Sequence, residues 1–218
     1  MVTCIGIDFD NTLAHFLTSS TGFFGIFSPY HVPEAQLKET YDAVAHSQQG
    51  KGFTFEEMLA DVTKMVHTLS SHEEELKKAF GNWLRKNLVL YPDSLSALTR
   101  WHDKLHIPIC IVTAGAEQYQ RQKVELLRIP HDDILVVPHA NEKASVTKRL
   151  LQRYGRRIVF IDDKESELDH LCEAGISTGD VLKVHINRPD SPYRNQVPKY
   201  EHLEVSSLAD KLLATALK

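Results

Sequence analysis

Three apolar, β-rich runs in this chain stop on a carboxylate or a hydroxyl, and that pattern narrows the folds open to it. Val2 to Asp8 runs into Phe9-Asp10-Asn11-Thr12, Ile107 to Thr113 into Ala114-Gly115, and Arg157 to Asp162 into Asp163. Strands that are apolar on both faces suit a parallel sheet covered by helices on either side. In an open sheet of that kind, the ligand crevice lies outside the carboxyl ends of the strands. Polar residues at those ends are gathered into one crevice, however far apart they stand in sequence.

Two further strands are predicted at Asp133 to Val137 and Val181 to Asn187. Helical patterns separate or follow the strands: Glu117 to Leu127, Ser145 to Tyr154, Glu165 to Ala174 with Gly175 as its C-cap, and Ser206 to Leu217. Alternating strand and helix implies right-handed βαβ units, and so an α/β fold with a doubly wound parallel sheet. From about Thr18 to about Tyr91 the rhythm fails. A Gly- and Phe-rich loop leads there into three helical segments, Glu34 to Ser47, Thr54 to Leu69 and His72 to Asn87. The expected division is a core of residues 1–17 and 91–218, with residues 18–90 as an inserted helical unit.

Bulk properties set limits on function. With 218 residues, 42% of them hydrophobic, the chain can bury a core without disulfides. Cys4, Cys110 and Cys172 are odd in number and widely spaced, and read as buried free thiols of a reducing compartment. A formal net charge of -4 argues against a nucleic-acid surface, which carries a basic excess. No charged-then-apolar leader opens the chain, and no apolar stretch reaches the ~18 residues that span a bilayer. A cytoplasmic location without membrane partners is the expectation.

The crevice residues suggest a chemistry. Asp8 and Asp10 stand two residues apart, and Asp162 and Asp163 approach from another strand end. Carboxylates crowded this way repel unless they share a cation or a proton. Oxygen-only ligation suits Mg²⁺, which keeps waters and binds substrate phosphate directly. Thr113 and the Ala114 amide, at a strand end before a helix, form a ready anion site. Lys143 precedes the helix that feeds the strand at Ile158; Lys123 and Lys148 compete with it for the role of crevice cation.

Taken in order, Asp8-Phe9-Asp10-Asn11-Thr12, Thr113, Lys143 and Asp162-Asp163 closely resemble the signature of the haloacid dehalogenase superfamily. That signature reads DxDx[TV], a hydrophobic strand ending in Ser or Thr, a lysine, and a DD or GD pair. The insert looks like the family's C1-type helical cap, and the remainder like its Rossmann-like core. The resemblance implies that Asp8 attacks phosphorus and becomes an aspartyl phosphate. It implies that Asp10 protonates the leaving alcohol and then activates water. Thr113 and Ala114 would hold a phosphoryl oxygen, and Lys143 would neutralise the charge. Mg²⁺ would bridge Asp8, the Asp10 carbonyl and Asp163, with Asp162 and Glu167 as bracing groups.

The activity so implied is a Mg²⁺-dependent phosphomonoesterase for a small phosphorylated molecule. A phosphotransferase or mutase, a C–halogen hydrolase and a catalytically silent phospho-ligand-binding protein stand as alternatives. Against C–halogen chemistry, a departing halide needs no proton donor, so Asp10 would be superfluous. Phe23 and Phe24 are expected to line a substrate pocket under the cap, with core packing as the competing reading for them and Phe27. His102 and His106, spaced i and i+4, lack a third ligand nearby and read as structural, while Arg149, Arg153, Arg156 and Arg157 read as a solvated face.

Overall fold

Ile5, Ile7, Ile109, Ile111, Val159 and Ile161 have almost no solvent exposure, and they fix the middle of a parallel sheet. The computed structural model describes residues 1–19, 21–45 and 52–217. The sheet is built from β1 (Cys4–Ile7), β4 (Ile109–Ala114), β5 (Asp133–Val137), β6 (Ile158–Asp162), β7 (Val181–Ile186) and β8 (Leu203–Val205). Their order is β5-β4-β1-β6-β7-β8, with every neighbouring pair parallel. β1 sits at the centre, so its carboxyl end lies beside those of β4 and β6. Five strands are those expected from sequence. The sixth, β8, is three residues long and only partly buried, too short for an apolar run to mark it.

Helices α4 (Ser94–Thr99), α5 (Glu117–Leu127), α6 (Lys143–Tyr154), α7 (Glu165–Glu173) and α8 (Lys211–Ala216) accompany the sheet. The last is half the length predicted from Ser206. Ser207 Oγ and the Leu208 amide both donate to Asp93 Oδ2, at 2.6 and 2.7 Å, which holds that stretch out of a helix. Asp210 then caps α8 by accepting from the Leu212 amide.

The insert has its own apolar centre. Helices α1 (Glu34–Ala45), α2 (Phe55–Met65) and α3 (Glu73–Asn87) surround a cluster that includes Phe23, Phe24, Phe27, Phe55, Met58 and Phe80. The expected end of the first helix, His46 and Ser47, lies outside the described residues. Thr54 caps α2 by accepting from the Glu57 amide. That helix stops at Met65, and a 3-10 segment, His67–His72, covers the rest of the stretch expected to continue it. A two-stranded antiparallel ribbon, β2 (Ala14–Phe16) with β3 (Leu88–Leu90), carries the chain out to the insert and back.

Phe23 and Phe24, expected from sequence to line a substrate pocket, instead lie in the apolar centre of the insert. Phe23 meets Phe24, Phe55, Phe80 and Trp83 ring to ring, with centroids 5.0–5.9 Å apart. Both rings fill the centre of the insert because three amphipathic helices need large apolar groups where they meet. Cys4 and Cys110 are buried free thiols, as expected, with their Sγ atoms 3.9 Å apart; Cys172 is only half-buried. Among the described residues, no helix is long and apolar enough to cross a membrane.

Phe23→Ala should therefore lose roughly 3–5 kcal/mol of unfolding free energy, the range for a truncated core aromatic. Denaturant melts would measure it. A loss within about 0.5 kcal/mol, as for a surface site, would return Phe23 to a pocket wall.

Candidate active site

The turn after β1 is shaped by its own sequence. Asn11 adopts a left-handed backbone with φ 57°, a conformation Asn tolerates better than most residues. Its amide donates to the Ala14 carbonyl at 2.7 Å, and the Ala14 amide donates back to the Phe9 carbonyl at 3.1 Å. Arg188, just past β7, donates from Nε and Nη2 to the Thr12 carbonyl at 3.2 and 3.0 Å. It also donates to Asp93 at 2.8 Å and lies over the Tyr91 ring. Burial opposes charge on Asp93, yet Arg188 and Ser207 prevail and hold its carboxyl below the usual range. One buried arginine thus ties the turn after β1 to the start of α4.

The adjoining strand ends bring Asp8, Asp162 and Asp163 together, with one oxygen of each within 4.8 Å of the others and all three buried. Lys143, the first residue of α6, donates to Asp8 Oδ1 and Asp162 Oδ2, both at 2.7 Å. The other Asp162 oxygen accepts from the Lys164 amide at 3.0 Å. Asp163 Oδ2 accepts from the Ser191 hydroxyl at 2.5 Å. Burial and the neighbouring Asp162 push the Asp163 carboxyl up to about 7. Asp8 is raised too, chiefly by burial; Lys143 opposes that rise, while Asp162 and Asp163 add to it. Burial would lower Lys143, but its two carboxylates hold it above the usual lysine range.

One ammonium does not balance three carboxylates. A divalent cation fits this donor set, because the ligands are all oxygen and the charge shortfall is buried. Asp8, Asp162 and Asp163 are the side chains able to hold it.

Asp10 lies apart from that cluster. Both of its oxygens accept from Lys123 Nζ at 2.6 Å, and Lys123 is itself buried beside the Phe9 and Tyr119 rings. Lys143 and Lys123, weighed against each other in the sequence, therefore occupy two different places. Thr113 is buried and donates to Gln120 Oε1 at 3.1 Å, while Gln120 Nε2 donates to the Ala114 carbonyl at 2.8 Å. Glu167 faces Lys164 at 3.1 Å and stands outside the acidic cluster. Ser191, Gln120 and Arg188 were not singled out in the sequence. Arg188 had a usable signal, a charged residue at the end of a parallel strand; Ser191 had none.

A cleft of about 620 Å³ opens beside Asp10. Core residues Asn11, Ala114, Tyr119 and Lys123 line it, together with Phe16, Tyr41 and Phe53 from the ribbon and insert. A Cβ on Gly52 would stand 2.6 Å from the Ala116 amide nitrogen, so the insert touches the core where β4 turns into α5.

Sequence comparison matches residues 5–173 to a family described as haloacid dehalogenase-like hydrolases. No curated relative matches the chain. Among solved structures, the defluorinating L-2-haloacid dehalogenase Rha0230 is 16% identical, covers 100% of this chain and 96% of its own, and superposes with a TM-score of 0.63. The L-2-haloacid dehalogenase PA0810 is 17% identical over 99% of each chain, with a TM-score of 0.61. A Thermotoga maritima protein assigned as a β-phosphoglucomutase is 14% identical over 99% of this chain and 98% of its own, with a TM-score of 0.54. At these identities the likeness establishes a shared Rossmann-like α/β fold.

The raised carboxyls set the sign of a pH effect. Asp163 binds its proton more tightly folded, near 7, than unfolded, near 3.8. As pH falls from 8 toward 6, the folded state takes up a proton that the unfolded state does not, and stability rises. Metal-free protein should therefore melt at a higher temperature at pH 6 than at pH 8, and saturating Mg²⁺ should flatten or reverse that slope. Scanning calorimetry at several pH values tests it; a slope of the opposite sign without metal would show that the cluster carries no charge strain.

Proposed function

This chain belongs to the haloacid dehalogenase-like hydrolase family, and within that family we propose that it is a Mg²⁺-dependent phosphohydrolase acting through Asp8 on a small phosphorylated molecule. The observation that carries this reading is the pairing of a buried, under-neutralised Asp8–Asp162–Asp163 cluster with a separate carboxyl, Asp10, on the cleft. Magnesium, when bound by these aspartates, supplies charge neutralisation at the phosphoryl group.

In the proposed reaction an Asp8 oxygen attacks phosphorus and the P–O bond to the alcohol breaks. The departing oxygen takes a proton from the Asp10–Lys123 pair, which reaches the cleft. Water then attacks phosphorus in the aspartyl phosphate, with Asp10 accepting its proton, and Asp8 and inorganic phosphate are released. Lys143 holds Asp8 in place and offsets its charge. Thr113 keeps a phosphate-facing role only if its hydroxyl leaves Gln120, so the Ala114–Ala116 backbone on the cleft is the simpler anion contact. The insert, about residues 18–90, is proposed as a cap; Tyr41 and Phe53 receive the organic part of the substrate there, in the place first expected of Phe23 and Phe24.

C–halogen hydrolysis is the second reading, favoured by the dehalogenases among the structural neighbours. It uses the same nucleophile on carbon. It leaves Asp10, and the uncompensated charge of the cluster, without a task. A transferase or mutase would share the phosphorylated Asp8 and differ only in the acceptor.

Release of phosphate and of halide, measured over a panel of phosphomonoesters and 2-haloacids, separates the readings. Phosphate release that stops in chelator and returns with Mg²⁺ is expected; halide release alone would sink the proposal. Asp8→Asn should abolish turnover of every phosphoester. Asp10→Asn should slow alkyl phosphates by about 10²–10⁴-fold, the usual worth of acid–base help, and p-nitrophenyl phosphate much less.

A further inference from the structure

A second group of ligand-type side chains lies beyond the acidic cluster, contributed by three elements. Glu165 opens α7, His185 is on β7, and Glu204 is on β8. One donor atom of each lies within 4.8 Å of the others, and Glu165 and His185 are buried.

The protons of His185 make this arrangement telling. Its Nε2 lies 3.2 Å from the Asp163 carbonyl oxygen. A carbonyl can only accept, so Nε2 carries the hydrogen, and in the neutral ring Nδ1 presents a lone pair. That nitrogen is 2.8 Å from Glu165 Oε1 and 4.0 Å from Glu204 Oε2, yet it is buried without a hydrogen-bond partner. Close as it is, the Glu165 contact is misaligned for a hydrogen bond. Glu165 Oε2 is also buried and unpartnered. A lone pair and a carboxylate facing each other at this distance repel unless they share a proton or a cation, and the misaligned contact favours the cation.

We propose that Glu165, His185 and Glu204 form a second metal site, adjoining the acidic cluster and distinct from it, that takes a divalent ion of the Zn²⁺ type. Imidazole with carboxylate suits zinc rather than magnesium. Metal–ligand bonds of about 2.0–2.2 Å place neighbouring donor atoms roughly 3–3.5 Å apart, so small shifts close the site. Glu204 is the exposed member and the one free to make that shift. A cleft of about 400 Å³ bordered by Glu165, His202 and Glu204 gives an ion a way in. Asp169 accepts from the amides of Lys199 and Tyr200 and meets His202 Nε2 at 3.0 Å, which braces the wall of that cleft. An ion on Nδ1 fixes the His185 tautomer that grips the Asp163 backbone. The site thereby positions a residue of the acidic cluster without touching substrate.

The test is zinc binding by the metal-free full chain, with bound zinc counted by elemental analysis after dialysis. Asp163→Asn weakens the acidic cluster and should leave zinc held at the second site; Asp8→Asn serves the same purpose if that variant does not fold. Adding Glu204→Ala, a change at an exposed residue, should weaken the retained zinc by about 10–100-fold or more. Zinc should also move the ¹⁵N resonance of His185 Nδ1 while leaving Nε2 protonated. Loss of all zinc in the cluster variant, or unchanged zinc affinity after Glu204→Ala, would overturn the site and leave an ion pair between Glu165 and a charged His185.

Discussion

Three carboxylates buried around one lysine set the terms for the rest of this molecule. Lys143 touches Asp8 and Asp162, and Asp163 must make do with a serine hydroxyl. Removing one partner from a buried ionic group strands the other charge in a poor solvent, which costs more than the pair itself is worth. The strand ends must therefore stay in register, and α6 must begin where it does. The central position of β1 follows the same demand, since only a middle strand has neighbours on both sides to deliver Thr113 and Asp162.

Around that centre, long-range polar contacts do what strand pairing cannot. Arg188 joins the Thr12 carbonyl to Asp93, across 176 and 95 residues of sequence. Ser191, a few residues on, reaches Asp163. The segment after β7 thus braces both acidic ends of the site, and Asp190 and Pro192 then form part of the cleft wall. A short irregular stretch contributes to the turn, the cluster and the cavity together.

Much of this was legible in the sequence because it follows from local pattern. The strands that end in Asp8, Thr113 and Asp162 announce themselves by apolar runs that stop on polar groups, and topology then brings them together. Lys143 stood out less, being one lysine among several, and only the fold separates its role from that of Lys123. Phe23 and Phe24 misled because an aromatic loop after a reactive strand suits a pocket and a core equally well; packing among three helices decides between them. Ser191, Gln120 and the Glu165–His185–Glu204 group carry no periodic or spacing signal. Their meaning arises from contacts made between distant stretches of chain.

The ribbon of Ala14–Phe16 paired with Leu88–Leu90 has a consequence for how such a chain can change over generations. The path out of the sheet and the path back lie side by side, about 4.8 Å apart, as paired strands do. Whatever is spliced between them is joined to the rest of the chain through the same two strands, paired at three positions. Roughly seventy residues or about seven could occupy that position, and loop-closure entropy would change by little more than about 2 kcal/mol. Selection can thus rewrite the inserted helices while the carboxylate cluster and its lysine are inherited intact.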